Sequence, residues 1–130
     1  MQKKEIRLDI AQISVYSDRI VLTTIDDNEI ISPEEVLEIK SYSKKLMDGK
    51  KFGHLIDARK HFSISKDAWN VAIDDKYDQK TIAKAIIVKN PIYFMLGELY
   101  ISLNKTKVKT EFFTSKNKAL KWLEKKVSKK

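Results

Sequence analysis

One short segment limits the fold of this chain more than any other. Residues 82–88, Ile-Ala-Lys-Ala-Ile-Ile-Val, form a nearly continuous apolar run, and Asn90 and Pro91 follow it as a helix cap and a first helical residue. A strand that is apolar along most of its length is typical of the middle of a parallel sheet. Because parallel neighbours need long crossover connections, which are usually helical, the segment predicts an α/β fold.

The rest of the chain supplies the elements of such a fold. Residues 6–16 and 19–25 alternate in polarity and predict two strands of an antiparallel hairpin, the first with a bulge near Ala11 and Gln12. Ser32-Pro33-Glu34-Glu35 is the clearest helix start, because Ser32 and Glu35 have the spacing of a capping box. Further strands are expected at 52–56, 82–88 and 108–113, and further helices at 65–74, 91–104 and from 115 onward. The predicted order is ββαβαβαβα, a mostly parallel five-stranded sheet with one antiparallel edge strand and four helices.

Length and composition favour one domain over residues 1–130, since 130 residues is close to the commonest domain size. The chain has no cysteine, which excludes disulfides and thiolate sites. It begins without the apolar stretch of a signal peptide, and its most apolar run, residues 92–101, is too short to span a bilayer. We therefore expect a cytoplasmic protein without a membrane span, whose lysine-rich end, from about 125 to 130, is frayed.

Three segments together suggest a family. The strand at residues 52–57, Phe-Gly-His-Leu-Ile-Asp, ends in an acid; residues 83–91 read Ala-Lys-Ala-Ile-Ile-Val-Lys-Asn-Pro; and Phe112 precedes a last helix that contains Ala119, Trp122 and Leu123. With the element order, they resemble the SpoIIAA-like, or STAS-like, domains, and in particular small stand-alone bacterial members of unknown function. The resemblance covers nearly the whole chain. It implies a non-enzymatic regulatory or scaffolding module that acts through protein–protein contacts.

The resemblance also points to a switch residue. In anti-sigma-factor antagonists of that family, a serine at a helix start is phosphorylated to change partner binding. By resemblance, Asp57 corresponds to the acid that ends the preceding strand, and Ser65 falls near the phosphorylated serine. This chain departs from the family box there, with Ile64 before the serine and Lys66-Asp67 after it.

The loop from residue 57 to residue 65 is also a candidate ligand site on chemical grounds. Asp57 ends a strand, Arg59 and Lys60 carry positive charge, and Ser65 opens a helix. Ligands of open α/β sheets bind at this edge, and helix N-termini favour anions. Alternatively, Asp57 pairs with Arg59 and Ser65 only caps its helix.

The helix expected over residues 91–104 carries two apolar stripes. One stripe should face the sheet and consists of Ile92, Leu96, Leu99 and Leu103. Phe94 and Ile101 point away from it, with Gly97 near the same line. A second apolar stripe predicts contact with another chain, most simply in a two-fold homodimer. The alternative is that a neighbouring helix of the same domain covers Phe94 and Ile101.

The positive charge of the chain is unevenly distributed. Residues 79–130 contain 13 lysines and 3 glutamates, so this part carries more than the whole net charge of +8. An alternative function is therefore electrostatic binding of an anionic partner, either nucleic acid or an acidic lipid surface. No arginine follows residue 59, so only weak, non-specific contact with nucleic acid is expected. A solvated helix face explains the same lysines.

Catalytic and cofactor motifs are missing from the sequence. With glycine only at positions 49, 53 and 97, the chain has no phosphate-cradling loop and no nucleophile elbow. His54 and His61 are the only histidines, and they lack a ligand spacing for zinc. We expect no enzyme, no cofactor and no metal site, with His54 partly buried in its strand.

Overall fold

The computed structural model describes residues 4–27, 29–60, 62–92, 95, 99 and 107–128. Its strands are β1 (Glu5–Arg7), β2 (Ala11–Ser17), β3 (Ile20–Ile25), β4 (Ile30–Ile31), β5 (Phe52–Ala58), β6 (Ser63–Ile64), β7 (Thr81–Val88) and β8 (Lys109–Phe113). Its helices are α1 (Pro33–Leu46), α2 (Lys66–Ala72), a short 3-10 turn (Asp75–Tyr77) and α3 (Lys116–Ser128).

Within the described residues, six strands form the main sheet, in the order β1-β2-β3-β5-β7-β8. The strands β3, β5, β7 and β8 run parallel to one another, while β2 is antiparallel to β3 and β1 is antiparallel to β2. The predicted α/β class and the mixed sheet are confirmed. The predicted number of strands is wrong, because the described part of the chain already contributes six strands to the main sheet rather than five.

The extra strand arises where one bulged strand was expected. The backbone N–H of Leu8 donates to the carbonyl of Ala11 at 2.8 Å and closes a turn, so that Ile6 pairs with Ile13 across β1 and β2. The bulge lies further along, between Val15 and Ser17. A change in the phase of apolar residues looks the same in sequence whether a strand bulges or reverses, and only the hydrogen bonds distinguish the two.

A second, two-stranded sheet was not foreseen. In this parallel pair, Ile30 lies opposite Ser63 in register and Ile31 lies opposite Ile64. Strands of two residues have no periodicity that a sequence could reveal. The pairing ties the loop after β3 to the segment that leads into α2.

The start of α1 confirms the predicted capping box. The Ser32 hydroxyl accepts from the N–H of Glu35 at 3.3 Å, and the Glu35 carboxylate accepts from the N–H of Ser32 at 2.9 Å. Beyond the helix, Asp48 and Gly49 take left-handed backbone angles, with φ of 53° and 77°. Together these features set both ends of the helix.

The helices after α1 differ in detail from the prediction. The structure describes three α-helices rather than four, and α2 covers residues 66–72 rather than 65–74. Of the helix expected over residues 91–104, only Pro91, Ile92, Met95 and Leu99 are described, all in helical conformation. Residues 125–128, expected to be frayed, belong to the end of α3.

The main sheet separates two differently built layers. On one face α3 packs against β5 and β7, and Leu123 and Val127 are buried there. A Cβ atom at Gly53 would lie only 2.8 Å from a methyl carbon of Val127, so this close approach of helix and strand requires glycine. On the opposite face α1 packs against β2 and against α2.

Candidate functional site

A cavity of about 680 Å³ lies between the sheet and the helices α1 and α2. Its walls are mostly apolar and include Ile25, Ile39, Ile56, Phe62, Ile86 and Phe112. Protein cores are close-packed, whereas ligand pockets commonly measure about 300–1,000 Å³. The size and the apolar walls make this cavity the candidate functional site.

Strand alternation places polar side chains on the sheet side of the cavity. Along β7, Lys84, Ile86 and Val88 line the cavity, while the residues between them face α3. On β5, His54 pairs in register with Lys84 and lines the same cavity. We refer to the five buried polar residues that line the cavity, Thr23, Lys40, His54, Asp78 and Lys84, as the polar cluster.

Two lysines of the polar cluster share one carboxylate. The Nζ atoms of Lys40 and Lys84 lie 2.8 Å and 2.6 Å from Oδ2 of Asp78. Both ammonium groups also donate to the carbonyl oxygen of Ala72, each at 2.8 Å. The exposed fractions are only 8% for Lys40, 7% for Lys84 and 4% for Asp78. When all three side chains are charged, the cluster therefore holds one excess positive charge largely out of water.

Burial and the charge of the polar cluster both affect the titration of Lys40. Burial, and after it the positive charge of Lys84, lower the pKa of Lys40 to about 8, and the attraction of Asp78 offsets this only in part. Both causes penalise the charged form of an amine. An anion placed beside Lys40 would favour its protonated form.

His54 is the histidine of the polar cluster. Its Nε2 atom lies 2.7 Å from the Thr23 hydroxyl oxygen. Burial, and after it the positive charge of Lys84, lower the pKa of His54 to about 3. The ring is therefore neutral near pH 7, where it is a weak base. His54 was expected to be partly buried and is almost completely buried.

The predicted ligand residues Asp57 and Arg59 form an ion pair outside the cavity lining. The Arg59 side chain donates twice, from Nε to Oδ1 at 2.9 Å and from Nη2 to Oδ2 at 2.7 Å. These hydrogen bonds are the main reason that the pKa of Asp57 is lowered. The structure thus adopts the alternative that pairs Asp57 with Arg59.

Ser65 is the one member of this predicted trio that lines the cavity. It is exposed, and its hydroxyl accepts from the N–H of Ala68 at 3.1 Å, which caps α2. The cap neither requires nor prevents phosphorylation of the same hydroxyl. The switch suggested by the family resemblance therefore stays a prediction.

The predicted interface residues Phe94, Gly97 and Ile101 lie outside the described residues, as do Leu96 and Leu103. Three apolar neighbours in the same segment are described, and they are strongly exposed: Ile92 67%, Met95 67% and Leu99 57%.

The expectation that Ile92 and Leu99 face the sheet is therefore wrong. Helical spacing shows which side chains share a face. It does not show whether that face packs against the sheet or is exposed to solvent, because this depends on tertiary structure.

Other predicted features lie away from the cavity. Within the part of the chain that the structure describes, no group of three metal-ligating side chains is arranged around a common point. His61 falls outside that part. The lysines Lys118, Lys121 and Lys125 are exposed on the outer side of α3. The described helices include none that is both long and apolar enough to cross a membrane.

Comparison with known proteins places the chain in a family. A family model described as "Domain of unknown function (DUF7793)" matches residues 14–127. The chain belongs to this family. Among solved structures it is similar to an uncharacterized protein of the DUF3478 family with a SpoIIAA-like fold, from Shewanella loihica PV-4. The two chains are 16% identical and have a TM-score of 0.61, over 94% of this chain and 92% of the other.

The structural similarity confirms the resemblance to SpoIIAA-like domains at the level of the fold. At 16% identity it does not extend to a partner, a ligand or a switch residue. No curated protein matches the chain.

The polar cluster was not predicted from the sequence, although two of its members leave a signal there. Lys84 interrupts the apolar strand at residues 82–88, and Lys40 follows Val36 by one helical turn and so lies on the inward stripe of α1. A charged residue at a core position indicates a buried ion pair or a site. Asp78 leaves no such signal, because it follows Asp74 and Asp75 in what reads as an exposed acidic loop.

Proposed function

We propose that this protein is a non-catalytic module that binds a small, largely apolar molecule in the cavity between the sheet and the helices α1 and α2. The observation that carries the proposal is the cavity itself, which has a volume of about 680 Å³ and is lined mostly by apolar side chains. A core without a ligand role would be expected to fill such a space with side chains. Pockets of this kind bury most of a ligand and use a few polar groups to orient it.

The chemistry of the polar cluster favours binding over catalysis. His54 is neutral and its pKa of about 3 makes it a poor general base. The Thr23 hydroxyl beside it is fully buried, so it is badly placed to attack a bound substrate. Lys40 donates to Asp78 and to the Ala72 carbonyl, and Lys84 donates to the same carbonyl and forms an ion pair with Asp78, so both ammonium groups are fixed in position beside the cavity.

A neutral apolar probe tests this proposal. Titration with N-phenyl-1-naphthylamine should give a saturable rise in fluorescence with one site per chain. The variant Ala58→Trp places a large ring in the cavity lining and should weaken probe binding by about tenfold or more, the factor set by about 1.4 kcal/mol of lost binding free energy. Tyr16→Trp, outside the lining, is the matched control and should bind as the wild type does. Absence of saturable binding by the folded wild type would refute the proposal.

A second candidate function is regulation or scaffolding through protein–protein contact, including a homodimer. The observation that favours it is the apolar stripe of Ile92, Met95 and Leu99, three large side chains at helical spacing that are each more than half exposed. Apolar patches of this kind often mark interaction sites. If the stripe joins two copies, light scattering should show a dimer that Met95→Glu converts to a monomer of 15.1 kDa. A wild-type monomer at high micromolar concentration would exclude the homodimer.

The electrostatic alternative rests on the exposed lysines of α3. If it is correct, duplex DNA or acidic vesicles should bind at low salt, and binding should disappear as salt is raised. Substitution of Lys118, Lys121 and Lys125 by glutamine should then remove this binding without affecting the cavity probe.

A further inference from the structure

We infer that the natural ligand of the cavity is an amphipathic monoanion, an apolar body with one carboxylate, whose acid group lies against Lys40 and Lys84. This inference rests on the proposed function and deepens it by naming the ligand class. Three features carry it: the charge of the polar cluster, the hydrogen-bonding capacity of its two lysines, and the distribution of charge around the cavity.

The charge balance of the polar cluster is incomplete. Lys40 and Lys84 together bring two positive charges to Asp78, which brings one negative charge. His54 faces the same cavity and is neutral. Burying an unbalanced charge is costly, and a counter-charge at hydrogen-bonding distance removes most of that cost. One carboxylate would balance the cluster, whereas a dianion would reverse its charge.

The hydrogen-bond geometry leaves room for such a group. An ammonium group has three N–H donors. Within the described residues, Lys40 donates to Asp78 and to the carbonyl of Ala72, while Lys84 donates to the same carbonyl and forms an ion pair with Asp78. Each ammonium group therefore keeps at least one donor that no hydrogen bond within the described residues uses, and both side chains line the cavity. Two donors on adjacent cations match the two oxygens of a carboxylate.

The remaining charged side chains around the cavity point to the same ligand. Besides the polar cluster, the charged residues of the lining are Lys60, Lys66 and Lys89, all positive. Asp78 is thus the single carboxylate among the charged lining residues that the structure describes. A cavity surrounded by one sign of charge attracts ligands of the opposite sign. The apolar walls require that most of the ligand be hydrocarbon rather than a small inorganic anion.

Three ligands with the same chain and different head groups test the inference. Dodecanoate, 1-dodecanol and dodecylamine, each below its micelle concentration, are used to displace N-phenyl-1-naphthylamine from the wild type. We expect dodecanoate to displace the probe at a concentration roughly tenfold or more below that of the alcohol, as one charge-assisted hydrogen bond would give. The amine should be the weakest of the three.

Lysine variants test which side chains cause the preference for the acid over the alcohol. Lys84→Met leaves the balanced pair of Lys40 and Asp78 and should remove most of the preference for dodecanoate over 1-dodecanol. The concentration of 1-dodecanol that displaces the probe should be nearly unchanged. Lys118→Met, an exposed lysine on α3, is the matched control and should keep the full preference. If Lys84→Met fails to fold by circular dichroism, Lys40→Met replaces it. If neither folds, the three-ligand comparison on the wild type decides alone.

The outcomes separate the inference from the proposed function. If acid and alcohol displace the probe equally well, or if the folded lysine variant keeps the preference, the inference is wrong while the cavity remains a binding site. If neither the probe nor any of the three ligands binds, the proposed function itself is wrong. A clear preference for the acid that depends on Lys84 or Lys40 supports both.

Discussion

The two faces of the main sheet are made from alternate residues of the same strands, but their packing is opposite. On the α3 face, Ala83, Ala85 and Ile87 of β7 are fully buried against the helix. On the other face, Lys84 and Ile86 of the same strand border a cavity of about 680 Å³. One strand thus contributes both to a close-packed core and to a candidate binding site.

The difference teaches which physical properties each face needs. Small residues on the α3 face let a helix approach the sheet closely, and at Gly53 not even a Cβ atom fits. On the cavity face, buried charges occupy positions that packing alone would fill with apolar side chains. Such charges add little stability compared with apolar replacements. We therefore expect the α3 face to stabilise the fold and the cavity face to bind a ligand.

The largest effect should come from removing the shared carboxylate of the cavity face. Asp78→Asn leaves Lys40 and Lys84 buried without a counter-charge, so urea denaturation at pH 7 should show a loss of about 3–5 kcal/mol in the free energy of unfolding. The control is Asp48→Asn, whose ion pair with Lys4 is exposed and should contribute less than about 1 kcal/mol. Similar small losses in both variants would mean that the polar cluster is hydrated rather than buried.

A neighbouring pair of residues on β7 compares the two faces directly. Ile87→Ala removes a fully buried side chain from the α3 face and should lower the free energy of unfolding by about 2–5 kcal/mol. Ile86→Ala should lower it by less, because that side chain already borders open space and has fewer packing partners to lose. Equal losses, measured by thermal or urea denaturation, would contradict the difference in packing.

Added volume should have opposite consequences on the two faces. Gly53→Ala places a methyl group within 2.9 Å of Leu123 and Val127 and should destabilise the protein by about 1–3 kcal/mol. Ala58→Val adds two methyl groups toward the cavity and should change stability by less than about 1 kcal/mol. The double variant of Gly53→Ala with Val127→Ala should recover part of the loss if the contact with α3 is its cause.

The smallest effect is a pH dependence that belongs to His54. The pKa of this ring is lowered from 6.5 to about 3 in the folded protein, so the unfolded chain binds a proton that the folded protein excludes. Its contribution therefore reduces stability as the pH falls below about 6.5, by about 1 kcal/mol between pH 7 and pH 5.5. His54→Gln removes the titration and should flatten this part of the stability curve. An unchanged slope would show that His54 titrates normally.

Much of the fold could be predicted because it depends on short-range patterns. Alternation along residues 19–25 and the apolar run at 82–88 identified strands, and the capping box of Ser32 and Glu35 identified the start of α1. Each of these signals involves residues that contact one another or share a face of one element. The first turn of the chain was misread for the same reason, since alternation alone does not distinguish a bulge from a reversal near Leu8.

The candidate site was less accessible to sequence reasoning. Asp57, Arg59 and Ser65 were chosen because they are close together in the chain, and two of the three form an ion pair with each other. The residues that converge in the cavity are distant in sequence; Lys40 and Asp78, for example, have a sequence separation of 38. In the sequence, Lys40 and Lys84 are charged residues at positions where apolar side chains are expected, and nothing there indicates a common partner.

By itself, the sequence determined the α/β class, the order of most elements and the capped start of α1. Tertiary structure decided that β1 reverses onto β2, that Ile92 and Leu99 are exposed, and that two lysines meet one aspartate in a large cavity. The physical reason is the range of the interactions. Backbone hydrogen bonds and amphipathic faces repeat within a few residues, whereas a cavity and its charge balance exist only where separate elements fail to fill the space between them.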